Sequence, residues 1–397
     1  MSQNGQNLEA VQAMNRTLLL RLLQQNHVCS RANLAVQSGL KQATITNIIN
    51  DFISWGIVEE TGLIEGSKGR RAIGIQLKQD QFYVIGLRLS RKYFEIGIFT
   101  LLGELVGEAY RENVVDTFPS VVLPKMKRII RELIQKNPDK RILAVGVAVP
   151  GPYYYKEDLI EVITSFPGWK KVPIMRELQR ELNIPVIVDH DANAGVLAEC
   201  SLGLDPSVYE TVVYVAVGQG IGAGIFHKGR IFRGATGIAG EIGHASVDLN
   251  GPLCECGNRG CLTACASTLA FVERVNTSRK MQGRETELCF GDLIELIRKK
   301  DTLVYKEFQE VMRYLSAGIV NLIYSYNPRL IIIGDEMSRI GSPVLEEIKK
   351  NLDVLSVRKV VDQAELRLTS FELDSAFVGA AEVAIDYTFV HTELFRN

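Results

Sequence analysis

The 397-residue sequence has no apolar run of about eighteen residues and no basic–apolar–small leader at its start. Both absences argue against a membrane-spanning or exported chain, so a cytoplasmic protein with no membrane partner is expected. Neither sign of charge is in surplus, the formal net charge being −1. That excludes a chain that coats nucleic acid as a polycation, and any nucleic-acid surface must be local. No segment is of low complexity. Cysteine is sparse at seven, an odd count, and three of the seven fall within eight residues. Without an export leader, that clustering favours metal over disulfides. The remainder is ordinary globular composition, 46% hydrophobic and 23% charged, enough for two or three domains.

Four segments near the start have helical or strand character. Residues 14–26 place Met14, Leu18, Leu19, Leu22 and Leu23 at helical spacing. In 30–40, Ser30 suits an N-cap and Gly39 a helix end, and 41–56 lines Ile45, Ile48, Ile49, Phe52 and Ile53 along one face before Gly56. Two short helices around a glycine turn make a helix-turn-helix. Residues 57–77 follow as two strands around a basic, glycine-rich tip, a wing.

From Phe82 the texture becomes α/β. Strands are expected at 82–89, 93–99, 142–149, 185–188, 211–217, 222–227 and 330–333, with helices at 120–136, 172–183, 192–200, 264–276, 290–299 and 303–326. The order of elements starting near Phe82 repeats near Thr211, which predicts an internally duplicated body.

The sharpest local pattern is EIGHASVDLNGPLCECGNRGC, residues 241–261. His244, Cys254, Cys256 and Cys261 supply one imidazole and three thiolates, a tetrahedral set for zinc. Four protein ligands leave no open position, so the zinc is expected to be structural. Cys29, Cys200, Cys265 and Cys289 lack such neighbours.

The stretch from Val217 through the CECGNRGC motif resembles the ROK family, named for repressors, uncharacterised frames and sugar kinases. The likeness spans roughly residues 82–390. It implies an α/β fold with a duplicated actin-like, hexokinase-type (RNase H-like) body of two lobes around a cleft. The helix-turn-helix ahead of it resembles the repressor branch. The expected division is therefore a winged helix-turn-helix domain at 1–80 and an effector body at 81–397. Its smaller lobe would hold about 81–200 plus the C-terminal helix, and its larger lobe about 201–370. The resemblance implies that Asp191 of DHDAN matches the kinases' catalytic base, and that Glu241 and His244 bond sugar hydroxyls. Asn193 of the same DHDAN stretch joins this sugar-binding set. His244 would then serve zinc with one ring nitrogen and sugar with the other, the zinc fixing the loop that presents Glu241. Asp191 also suits a helix N-cap, and Trp169 of SFPGW falls either at a sugar-side loop or in the core.

The departures from the kinase pattern carry the functional reading. The kinases' Asp-x-Gly-Gly-Thr phosphate turn becomes Arg88, Ser90, Arg91 and Lys92. An arginine repels the Mg²⁺ that a carboxylate would hold, and loss of both glycines hinders the backbone approach to phosphate. The second phosphate turn, GQGIGAG, has Gln219 for threonine, and the adenosine motif has Gly334–Asp335 for Gly-Gly. On the sugar side, Thr263 replaces a glutamate and His190 an asparagine. The body is thus expected to bind a sugar or sugar phosphate without phosphorylating it.

At the DNA end, Lys41, Gln42, Thr44, Thr46 and Asn47 crowd the start and outer face of the second helix, where a recognition helix meets base edges. Lys68, Arg70 and Arg71 at the wing suit phosphates or the minor groove. Between residues 10 and 75, seven basic residues face four acids. The expectation is a sugar-responsive repressor, a homodimer or tetramer on double-stranded operator DNA. The alternatives are an ATP-dependent sugar kinase that also binds DNA, and a protein-interaction module.

Overall fold

The structure is a computed structural model, and it describes residues 8–65, 71–114, 118–161, 166, 168–204, 208–355 and 363–396. The chain opens with α1 (Leu8–Asn26), β1 (Val28–Ser30), α2 (Arg31–Ser38), α3 (Gln42–Ser54), β2 (Val58–Glu65) and β3 (Arg71–Leu77). The Ser30 hydroxyl caps α2 by accepting from Asn33 N at 3.2 Å, and Gly39 ends it in the left-handed region at φ 69°. Ile45, Ile48, Ile49 and Phe52 bury one face of α3, while Ile53 at that face's edge is exposed. In α1 the buried stripe is Leu19, Leu20 and Leu23, and the expected Met14 and Leu18 face outward. The three strands pair in the order β1-β3-β2, giving a winged helix-turn-helix.

The first lobe comprises β4 (Phe82–Leu89), β5 (Tyr93–Thr100), β6 (Leu105–Asn113), α4 (Pro119–Lys136), β7 (Arg141–Val149), β8 (Tyr153–Tyr154), β9 (Leu159–Ile160), α5 (Ile174–Gln179), β10 (Val186–His190) and α6 (Asp191–Ala198). A π-helical turn, Glu199–Gly203, prolongs α6. The second lobe comprises β11 (Thr211–Val217), β12 (Ile221–His227), β13 (Arg230–Ile231), α7 (Leu262–Ala266), α8 (Thr268–Met281), α9 (Phe290–Arg298), α10 (Thr302–Tyr326), β14 (Leu330–Gly334), α11 (Ser342–Leu355) and β15 (Glu365–Leu368). The C-terminal helix, α12 (Ser375–Val390), returns to the first lobe.

The duplication is visible in the two sheets. One has the order β10-β7-β4-β5-β6, the other β13-β12-β11-β14-β15. In each, three antiparallel strands are followed by two parallel ones on the far side of the first strand. The central strands are almost wholly apolar because helices cover both faces.

The winged domain is not a bead on a string. Residues 78–81 alone separate β3 from β4. One apolar cluster runs from Leu20, Ile49 and Phe52 of the winged domain through Phe82 and Phe99 to Phe377 and Phe389 of α12. Among the described residues, no helix is long and apolar enough to cross a membrane.

Candidate functional site

The strand ends of both sheets converge on a narrow cleft between the lobes, the usual ligand position in parallel α/β sheets. Asp191 opens α6 directly after β10, and Glu241 precedes a single 3₁₀ turn, Ile242–His244. Asp191, Glu241 and His244 all line the cleft, as does His190. Asn193 is 1% exposed and does not line it; its side-chain amide donates to Asp189 at 2.9 Å. Trp169 is buried and stacks on Phe166 with ring centroids 5.0 Å apart, so it fills the first lobe's core.

His190 is the group that the sequence underplays. Its Nε2 bonds Asp191 Oδ1 at 3.0 Å, and its Nδ1 lies 3.9 Å from Glu241 Oε1. A Cβ at Gly151 would fall 2.5 Å from His190 Nε2, and one at Gly222 3.0 Å from its Cε1, so two glycines make room for the ring. Burial alone would lower the imidazole's pKa, but Asp191 and Glu241 outweigh it and hold it up at about 9. Burial would raise Asp191, yet the His190 charge and hydrogen bond, with Arg88 and Arg91, pull it down. Burial raises Glu241 against the pull of His190. The cleft floor is therefore an imidazolium between two carboxyls. Asp191 already accepts a proton-bearing nitrogen and has a depressed pKa, a poor starting point for a general base.

The basic cluster at the first strand turn is an interlobe clasp. Arg88, 4% exposed, pairs with Asp335, which follows β14, and with Asp374, the N-cap of α12. Lys92 reaches Glu336 at 2.7 Å, and Thr268 donates to the same carboxylate at 2.6 Å. Burial would lower the Arg88 pKa, but Asp335 and its neighbours more than compensate and keep it charged. Two of the three cations at this turn, Arg88 and Lys92, are thus paired within the protein. Arg91 faces the cleft against Gly220, where a Cβ would fall 2.7 Å from its guanidinium.

The cysteine loop packs beside the cleft. Cys254 Sγ lies 3.7 Å from His244 Nδ1, and Cys256 Sγ lies 3.6 Å from Cys261 Sγ. All four ligand atoms fall within 4.8 Å of one another. A tetrahedral ion with bonds of roughly 2.3 Å to sulfur has edges of about 3.7 Å, so the donor set fits. Gly260 allows close approach, since a Cβ there would meet Asp248 O at 1.6 Å. Thr263 accepts from Ile221 N at 3.1 Å and ties the glycine turn to this loop.

In the winged domain Lys41, Gln42 and Asn47 are exposed at the start of α3, and Thr44 and Thr46 are half-buried. The Thr46 hydroxyl donates back to Gln42 O at 3.0 Å. Arg71 is exposed; Lys68 and Arg70 lie outside the described residues. Much of the local positive charge is internally spent: Arg16 pairs with Asp51 at 2.9 Å and Arg31 with Glu60 at 2.8 Å.

The profile of the ROK family matches residues 84–387. The xylose repressor of Caldicellulosiruptor bescii is 30% identical over 360 residues, covering 88% of this chain and 89% of that protein. The crystal structure of a ROK family transcriptional regulator, a homolog of the E. coli MLC protein, superposes with a TM-score of 0.82 at 26% identity, covering 98% of this chain and 100% of that one. A ROK family glucokinase from Streptomyces griseus, in complex with glucose and AMPPNP, superposes with a TM-score of 0.67 at 22% identity, covering 75% of this chain and 98% of the kinase.

Proposed function

The chain belongs to the ROK family, and on that premise we propose that it is a sugar-responsive transcriptional repressor whose cleft senses a sugar without phosphorylating it. One observation carries the reading: a winged helix-turn-helix shares its core with a body whose nucleotide-side turn is filled by the Arg88–Asp335 and Lys92–Glu336 pairs. The likeness to a ROK family transcriptional regulator, which covers 98% of this chain and so takes in the winged domain, supports it. In the cleft, Asp191, Glu241, His190 and His244 offer hydroxyl-binding donors and acceptors, and the charged lining is nearly balanced, which suits a polyol. Asn193 acts from beneath, steadying Asp189.

His244, Cys254, Cys256 and Cys261 hold a structural Zn²⁺, supported by their separations; the ion supplies rigidity to the loop that presents Glu241 and His244. Lys41, Gln42, Thr44 and Asn47 read base edges from the start of α3, and Thr46 shapes that turn. Arg71, with Lys68 and Arg70, meets the backbone or minor groove. The protein works in the cytoplasm as a homodimer or tetramer, two winged domains taking the halves of a pseudopalindrome. Sugar binding lowers DNA affinity. Moving a population from 99% bound to 99% free takes about 5.5 kcal/mol of differential binding.

The test is an electrophoretic shift with DNA from upstream of the gene, run with xylose, glucose and N-acetylglucosamine, beside a coupled ADP-release assay. A specific complex that a sugar dissolves, without ADP release, is expected. Absence of any specific complex, or sugar-dependent ADP release abolished by Asp191→Ala, would overturn the proposal.

A further inference from the structure

The helix that begins at the cleft ends at the winged domain. Asp191 is the first residue of α6, and the π-helical turn that prolongs α6 contains Ser201. Ten residues of helix place these two about 15 Å apart. Ser201 sits beside Glu382 of α12, which is 1% exposed, and its hydroxyl pulls that carboxyl's pKa down against burial. Gln24 of α1, 3% exposed, donates its amide to Glu382 at 3.0 and 3.2 Å and to Leu101 O at 3.1 Å. One buried carboxyl is therefore shared by the helix carrying the cleft's Asp191 and by the first helix of the DNA-binding domain.

The surroundings make this junction responsive to movement. α12 packs backbone to backbone on its neighbours: a Cβ at Gly379 would fall 2.0 Å from Ala194 O of α6, and one at Gly146 1.8 Å from Ala380 O. A shift of α6 has no soft side-chain layer to absorb it. Along the adjoining face of α12, Thr17 donates to Phe389 O at 2.9 Å, Arg21 pairs with Asp386, and Gln24 meets Glu382. These partners run antiparallel, so the C-terminal half of α1 is fastened to α12. The π turn is also held from the other lobe's side, because Glu199 accepts from Thr369 at 2.5 Å and Ser370 at 3.2 Å, just after β15. π turns are rare and concentrate at functional positions.

We propose that Gln24, Glu382 and Ser201 are the coupling residues of this regulator: the state of the cleft reaches the winged domain through the Ser201–Glu382–Gln24 contact. The proposal rests on the repressor reading above. Ser201 and Gln24 touch neither the cleft nor the candidate DNA-contacting residues, and they act by positioning α1.

The experiment uses full-length wild type, Ser201→Ala, Gln24→Met and the double variant. DNA affinity is measured by anisotropy with and without saturating xylose, and amide exchange is followed in residues 8–26. Each variant is expected to bind DNA and xylose within about threefold of wild type. The ratio of DNA Kd values with and without sugar should fall by about tenfold in the double variant, within the usual 5–150-fold range of allosteric coupling. A purely structural role would lower DNA binding or thermal stability and leave that ratio unchanged, which refutes the proposal. Should xylose leave the wild type unaffected, His190→Ala is the cleft perturbation in its place. It should change exchange in residues 8–26 of the wild type and not of the double variant, and equal change in both refutes the coupling. A wild type that binds no DNA under any condition sinks the repressor reading instead.

Discussion

Replacing Arg88 by methionine keeps the side chain's length and removes its charge. Two carboxylates, those of Asp335 and Asp374, lose their shared partner at side-chain exposures of only 17% each. Breaking a buried ion pair from one side costs on the order of 3–5 kcal/mol, because the remaining charge stays desolvated. For a domain of roughly this size each kcal/mol moves Tm by about 2–4 °C. Arg88→Met should therefore lower the melting temperature of the body by roughly 6–20 °C in differential scanning calorimetry. The triple variant Arg88→Met, Asp335→Asn, Asp374→Asn leaves no buried charge behind and should recover more than half of that loss. The rescue matters more than the loss, since a large core residue removed from any position also destabilises. A single variant that melts within 2 °C of wild type, or a triple variant no better than the single, would refute the idea that these charges form a clasp.

Other outcomes follow from the same structure. Burial pushes the Glu382 carboxyl up to about 8 from an ordinary 4.5, so between those values the folded state holds a proton that the unfolded chain releases. Stability should fall as pH rises through this window, by at most about 1.4 kcal/mol per unit, and Glu382→Gln should flatten the denaturation midpoints measured from pH 5 to 9. Chelation should remove one Zn²⁺ per chain and lower Tm, with Cys256→Ser reproducing the effect; a chain that contains no zinc by elemental analysis when purified without chelator contradicts the assignment. Arg71→Ala should weaken DNA binding and reduce the slope of log K against log salt by about 0.9, while Lys41→Ala should weaken binding and relax sequence preference.

The sequence exposed much of this architecture because its signals were local. The Ser30 cap, the Gly39 turn and the Ile45–Ile49–Phe52 face are set by neighbouring residues, and the structure keeps them. The metal-ligand loop is equally local, with four donors inside eighteen residues. What stayed hidden depends on distant partners. β6 was missed because it is an edge strand with five exposed positions and little apolar alternation. β15 has four residues and is identified only by its pairing with β14. Asn193 looked like a cleft residue from its place in DHDAN, but one helical turn aims it at Asp189. Arg88 and Asp335 are 247 residues apart, and Gln24 and Glu382 are 358 apart. No periodicity or spacing rule joins such pairs.

Whether the cleft senses sugar without turning it over is decided by isothermal titration of the sugar that dissolves the DNA complex into the protein, with and without Mg-ATP. A sensing cleft should take up one sugar per chain, give no heat on adding Mg-ATP alone, and keep the same sugar affinity in its presence. Saturable Mg-ATP binding that tightens the sugar, or continuous heat from turnover, would show that the cleft still works as a kinase and would contradict the sensing role.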